Sequence, residues 1–367
     1  MNPFSIGLAR GDNFCNRTPE IALLLRNIAS GIHTVLYAPR RYGKSSLAHV
    51  VLERLGETVP VYVDLFKVSS AADVAESLYR GVVSALGSRA ADKSTFGSRM
   101  ASFFKRLRLG IEFNPTTGLP EFNISLGSDP AVLHLETIIQ SLDDYCSDNG
   151  IRVCVVLDEF QEICDLEESK KIEALLRGGM QGARHVTFIM MGSRRTILRD
   201  MFEDRKRPFY KSALLIQLPR IPDLEFLPFL TDRFKSGGVE LTEEEAAEMV
   251  SFTDSYPYYT QKLAMLYFDM KQEGATLRDA ENTLVAMESP DFEGIYVGMT
   301  NHQKSLLRAV AVLKPVNIFS LAFLVAGRLG SQGGVQNSLA KLKKLDLVEQ
   351  REGCWRVVDP IFEKWLG

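Results

Sequence analysis

HTVLYAPRRYGKSSLAHVVLERLG, from His33 to Gly56, is the stretch on which the fold turns. An apolar run, Thr34 to Tyr37, leads into a tight loop, Ala38 to Gly43. Lys44, Ser45 and Ser46 then open a helical pattern, so the stretch reads as strand, loop, helix. Open N–H groups at a helix N-terminus, together with the helix dipole, form an anion site. The spacing matches GxxxxGK[ST], a loop that cradles phosphates, with Ala38 in place of the first glycine. Pro39, Arg40, Arg41, Tyr42, Gly43 and Ser46 complete the cradle. Lys44 is expected to reach the β- and γ-phosphates, and Ser45 to ligate Mg²⁺. A side chain at position 38 resists the left-handed backbone that a glycine allows, which predicts slower turnover. The plain alternative is a strand–turn–helix with a chance GKS.

The remaining composition is that of a soluble globular protein: 367 residues, 46% hydrophobic, 24% charged, net charge −3. That length suits two or three domains. The charge excludes a polycation that coats nucleic acid and leaves room for a local basic patch. Five scattered cysteines with no CxxC pair point away from zinc and disulfides and toward reduced thiols in a cytoplasm. The N-terminus lacks a signal-peptide core, and no apolar run is long enough to span a bilayer, so no membrane role is expected.

Outward from the loop, strands and helices alternate. Thr18–Pro19–Glu20 opens a helix, with Thr18 as N-cap. Val59–Leu65 reads as a strand buried on both faces, followed by a helix over Ala71–Leu86. RVCVVLDEFQEI, from Arg152 to Ile163, is an apolar strand delivering Asp158 and Glu159 to its C-terminal end. Ligands of open α/β sheets bind at that edge. Asp158 is expected in the Mg²⁺ shell, and Glu159 to orient or deprotonate an attacking water. Val186–Met191 is a fourth strand; Ser193 just beyond it is the candidate γ-phosphate sensor. Arg199, Arg205 and Arg207 follow, each either a transition-state cation, in cis or across a subunit contact, or part of a solvated face. Ala213–Leu218 is the fifth strand. The rhythm predicts an α/β, doubly wound parallel sheet. No guanine-reading Asn-Lys-x-Asp and no GxGxxG after the first strand appear, which favours ATP over GTP and over a dinucleotide.

Three further regions complete the chain. A hairpin inserted at about 88–130 places Lys105, Arg106 and Arg108 beside Phe103 and Phe104, a partner surface or a solvated decoration. Asp223 to Met287 is helical and reads as a lid; its Tyr256–Tyr259 turn either lies over the nucleotide or fills lid core. Asn301 to Gly367 reads as three helices and a β-wing around Arg351–Gly353. The third helix carries Gln332, Gln336, Asn337, Lys341, Lys343 and Lys344 and can either enter a DNA groove or dock protein. The expected division is a core at 1–222, a lid at 223–290 and a winged helix at 291–367.

The ensemble resembles the archaeal-type P-loop ATPases of the AAA+/STAND neighbourhood, along nearly the full chain. FCNR at Phe14–Arg17 is similar to their N-terminal F-x-x-R box, which implies a nucleotide-side role for Arg17. APRRYGKSS, VVLDEFQ and MGSRRTILRDMFEDRKRPFY resemble their phosphate loop, Walker B and sensor-1 segments. SYPYY resembles a G-x-P lid turn, which implies that Pro257 borders the nucleotide, and DPIFEKWL resembles the close of the winged helix. The resemblance implies sheet order 5-1-4-3-2, ATP/ADP and Mg²⁺ as cofactors, and slow hydrolysis acting as a switch. Tyr258 and Tyr259 stand where the lid turn would carry a sensor arginine, a second departure that predicts low turnover. A nucleotide-gated DNA- or protein-binding regulator with little turnover is the alternative.

Overall fold

The computed structural model describes residues 2–88, 111–113, 120–122 and 134–367. Its centre is a five-stranded parallel sheet of β1 (Thr34–Tyr37), β2 (Val59–Asp64), β3 (Val153–Asp158), β4 (Val186–Gly192) and β5 (Leu214–Gln217). The order is β2-β3-β4-β1-β5, the expected 5-1-4-3-2 arrangement. The three inner strands are buried along their whole length. Strand β2 departs from the expectation of two-sided burial. It is an edge strand, with Pro60 and Asp64 exposed and Tyr62 half-buried.

Strand parity divides the interior in two. Val35, Val155, Leu157, Phe188 and Met190 face helices α3 (Ala71–Ser88), α4 (His134–Asn149) and α5 (Ser169–Gly182). Leu36, Cys154, Val156, Ile189 and Met191 face α1 (Thr18–Ala29) and α2 (Lys44–Glu53). Helix α1 starts one residue earlier relative to its cap than expected: Arg17, in a left-handed conformation at φ 56°, is the N-cap, and Thr18 lies inside the helix. Helix α6 (Arg195–Glu203) follows β4.

Beyond the sheet come α7 (Asp223–Ser236), α8 (Glu243–Thr253), α9 (Pro257–Gln272) and α10 (Leu277–Val297). A capping box formed by Thr242 and Glu245 fixes the start of α8. Helix α10 continues ten residues past Met287, where its end was expected, running through Pro290 and across the expected 290/291 border. The C-terminal part folds as α11 (Asn301–Leu313), α12 (Leu321–Ala326), α13 (Gln332–Lys344), a wing of β6 (Val348–Arg351) and β7 (Cys354–Val357), and α14 (Pro360–Leu366). Its apolar residues join the same core as α1, α2 and the lid. Ile111–Phe113 and Pro120–Phe122 pair antiparallel, as a hairpin requires, whereas Lys105, Arg106 and Arg108 lie outside the described residues. All five cysteines are free. Among the described residues no helix is long and apolar enough to cross a membrane.

Candidate functional site

The loop between β1 and α2 is built by its left-handed residues. Arg41 (φ 60°) and Gly43 (φ 87°) take that conformation and Ala38 does not. Ala38 is fully buried, and its N–H continues the sheet by donating to the Gly192 carbonyl at 3.4 Å. The expectation that Ala38 strains the loop is therefore corrected: the turn is made three residues later. The first backbone bond across the start of α2 is Leu47 N–H to Gly43 carbonyl, 2.9 Å. The N–H groups ahead of it stay open toward an anion.

Lys44 is buried, its ammonium donating to the carbonyls of Ala38 and Pro39, 3.0 Å each. Burial lowers its pKa to about 8, against the pull of Glu159, Asp158 and Asp346. The Ser45 hydroxyl donates to Asp158 Oδ2 at 2.8 Å, so the ends of β3 and the loop helix meet. Glu159 turns off the strand at φ 50°. Its Oε2 accepts from the Ser193 hydroxyl (3.0 Å), the Ser193 N–H (3.3 Å) and the Gln161 amide (2.5 Å).

A cavity of about 520 Å³ opens over this group. Arg17, Arg40, Arg41, Tyr42, Gly43, Lys44, Ser45, Ser46, Glu159 and Pro257 line it, together with Phe14 and Tyr258. Pro39, Asp158 and Ser193 are not lining residues, but each is bonded to one: through Lys44, Ser45 and Glu159 respectively. Arg17 props the loop from below, donating to the Tyr42 carbonyl (3.3 Å) and the Pro219 carbonyl (2.7 Å). The lid turn holds the other side. The Tyr256 hydroxyl donates to the Arg40 carbonyl at 2.5 Å, and Arg41 lies over the Tyr258 ring at 4.3 Å. Tyr259 points away and is buried where the lid meets the winged helix, donating to Asp359 at the start of α14 (2.5 Å).

This donor set suits a nucleoside triphosphate with Mg²⁺. It supplies a buried cation, open amides, and a hydroxyl paired with a carboxylate, in a space large enough for the ligand. A Mg²⁺ ion that keeps most of its waters needs few protein oxygens, so Ser45 and Asp158 suffice beside phosphate.

Several residues escaped the sequence reading. Glu288 on α10 is almost fully buried and accepts from Arg41 (3.1 Å) and Lys262 (2.5 Å). Ser5 to Ala9 form one wall of the cavity, with the Ala9 N–H on the Ser46 hydroxyl at 3.0 Å. Arg195 reaches from α6 to Asp346 (2.8 Å) and Glu349 (2.6 Å) beside the wing. These partners lie far apart in sequence, and no local pattern announces them. Of the three arginine candidates, Arg207 is bound to Glu173 and Cys164, which removes it from the site. Arg199 pairs with Glu203 on an exposed helix face at 2.9 Å, and Arg205 is exposed.

A parallel sheet of this order, with the phosphate-loop strand beside its centre, followed by a helical segment and a winged helix, is a fold this chain shares with solved Walker-type ATPase and ORC proteins. A family model described as "Probable winged helix domain" matches residues 290–367. The chain is similar in structure to the Walker-type ATPase PABY2304 of Pyrococcus abyssi, at 18% identity and TM-score 0.72, covering 100% of this chain and 99% of that one. It is also similar to the ORC2 protein of Aeropyrum pernix with ADPNP and ADP, at 16% identity and TM-score 0.61, covering 99% and 96%. The ORC1 protein of Aeropyrum pernix in complex with DNA matches at 14% identity and TM-score 0.51, covering 97% and 93%. No curated protein matches the chain in sequence.

Proposed function

We propose that this chain is an ATP-binding, Mg²⁺-dependent ATPase of the AAA+/STAND type that works as a slow molecular switch in the cytoplasm. Its working parts are a nucleotide core (1–222), a lid (223–290) and a winged helix (291–367). The observation that carries this reading is the convergence of Lys44 and Ser45 with Asp158, Glu159 and Ser193 at neighbouring strand ends. Lys44 and the open amides of Arg40 to Ser46 bind the phosphates, with Pro39 completing the loop and Arg17 holding it in place. Ser45 and Asp158 hold the metal, which when bound neutralises and orients phosphate charge. Glu159 takes the proton of an attacking water, and Ser193 positions that carboxylate and reports the γ-phosphate. Arg41, Tyr258 and Pro257 close the nucleotide from the loop and lid sides.

Glu159→Gln keeps the shape and removes the base. ATP binding should persist while hydrolysis falls by about 10²–10⁴-fold, the usual worth of a positioned base. Hydrolysis at the parent rate would remove Glu159 from that role.

A second reading, a nucleotide-gated regulator, is favoured by the ion pairs from Arg195 to Asp346 and Glu349, which join the nucleotide core to the winged helix. Gln332, Gln336, Asn337, Lys341, Lys343 and Lys344 are exposed on α13, a face suited to DNA, and the ORC1 protein of similar fold was captured with DNA. Replacing Lys341, Lys343 and Lys344 by Ala should abolish salt-dependent DNA binding. Absence of binding by the parent at low salt would leave a protein partner as the occupant.

A further inference from the structure

Asp158 is held by one more group than the phosphate-loop chemistry calls for. Its Oδ1 accepts the Glu159 N–H at 2.9 Å, and its Oδ2 accepts the Ser45 hydroxyl at 2.8 Å. Oδ2 also accepts the phenol O–H of Tyr62. Tyr62 comes from β2, where its register partner is Val156, two residues before Asp158 on the same side of the sheet. Two strand residues span about 6.6 Å, a distance that a tyrosine side chain covers and a shorter polar side chain does not.

The ring is held as well as the hydroxyl. His49 stacks on it with centroids 4.6 Å apart and planes 22° apart. His49 lies four residues after Ser45, so one face of α2 supplies both the hydroxyl on Asp158 and the plate under Tyr62. Arg10 in turn contacts His49 Nδ1 at 3.2 Å. The edge strand, the Walker-type strand and the loop helix thus meet on one carboxylate.

We propose that Tyr62 is a positioning residue for the metal-side carboxylate: its O–H fixes the Asp158 side chain and thereby sets how strongly Mg²⁺ supports nucleotide binding. The inference rests on the reading of Asp158 given above. A Ser45 oxygen that takes a metal on a lone pair keeps its proton and can still donate to Asp158, but it then serves both groups. Tyr62, fixed on β2 and stacked on His49, is the side-chain donor dedicated to the carboxylate's rotamer. A phenol donor also draws electron density from the carboxylate, which weakens its hold on a cation. Orientation outweighs that loss, because outer partners of metal ligands typically change metal affinity by about 10–100-fold when removed.

The test is ATP affinity, with and without Mg²⁺, in the parent and in Tyr62→Phe, which keeps the ring and its stack. The parent should gain affinity on adding Mg²⁺. Tyr62→Phe should lose about tenfold of that gain while its affinity in EDTA stays within about twofold of the parent. An unchanged Mg²⁺ gain overturns the proposal. An equal loss with and without Mg²⁺ also overturns it, since that marks a packing role. A parent indifferent to Mg²⁺ overturns the reading of Asp158 itself, and is distinguishable because no variant is needed to see it. Should Tyr62→Phe not fold, His49→Ala frees the ring and keeps its hydroxyl, and a Mg²⁺ gain equal to the parent's then overturns the proposal.

Discussion

Lys44 carries the clearest consequence at the level of a single residue. Its ammonium is buried with two carbonyl oxygens and no carboxylate as hydrogen-bond partners, and burial brings its pKa from 10.5 to about 8. The nearby charges of Glu159, Asp158 and Asp346 offset only part of that loss. Phosphate oxygens placed beside Lys44 would favour the charged form and raise the pKa again. Binding must then take up a proton at any pH above about 8. ATP affinity is therefore expected to be flat below that pH and to fall by up to about tenfold per pH unit above it. Calorimetry at pH 9 in two buffers of different ionisation enthalpy should show uptake of nearly one proton per site. For folding, a lowered native pKa means that the unfolded chain holds the proton more tightly. This group therefore adds stability to the nucleotide-free protein as pH rises from about 8 to 10.5, and withdraws it as pH falls back. Affinity that stays level up to pH 9.5 would mean that Lys44 keeps its charge without phosphate.

At the level of elements, the phosphate loop shows how far a motif can be read and where it misleads. The left-handed positions are Arg41 and Gly43, while Ala38 packs its methyl in the core shared with Leu36 and Met191. Ala38→Gly should leave ATP affinity and turnover unchanged and cost about 1 kcal/mol in denaturant unfolding, from added freedom in the unfolded chain and a lost methyl. Gly43→Ala should also destabilise, straining the turn by about 1–3 kcal/mol, and should in addition weaken nucleotide binding, although a Cβ there meets no neighbour. A rise in turnover for Ala38→Gly would restore the glycine as the missing feature. The strands β1, β3 and β4, the loop helix and the acid pair were legible because each is a contiguous pattern; their alternation carries the parallel sheet, and the strand order came from the family resemblance. What was not legible depends on partners that are close only in space. Strand β2 alternates because it is an edge, and α10 outruns its Pro290 because tertiary packing holds its continuation, with Phe292 stacked on Phe362 at 4.8 Å. Tyr62 and Glu288 look like ordinary core and surface residues until Asp158 and Arg41 are seen against them.

For the whole molecule, the question is what holds the winged helix against the nucleotide core. Arg195, at the start of α6, bridges Asp346 and Glu349, and the adjacent Thr196 hydroxyl reaches the Lys343 carbonyl at 3.4 Å. A second bridge runs from Arg220 through Asp254 to Arg351, at 2.5 and 2.7 Å. Burial pushes the Asp346 carboxyl up against the pull of Arg195, so this acid is held at a desolvation cost. Asp346 also interacts electrostatically with Lys44, which places the contact within the field of the phosphate site. Negative charge arriving at Lys44 therefore disfavours Asp346 and attracts Arg195, and both effects loosen the same contact. Asp346→Asn with Glu349→Gln should strand the guanidinium, which is 11% exposed, and weaken docking by about 1–3 kcal/mol, less than for a fully buried pair. The readout is proteolytic release of the segment that follows α10, by cleavage between Val297 and Asn301, together with a larger radius of gyration in solution scattering. Adding Arg195→Ala to that pair should recover part of the loss, because the unpaired cation goes with it. In the parent, ATP with Mg²⁺ should accelerate release relative to ADP, and the difference should vanish in the Asp346/Glu349 variant. If ATP and ADP give the same release rate in the parent, the ion pair is a fixed structural joint and nucleotide state is not communicated through it.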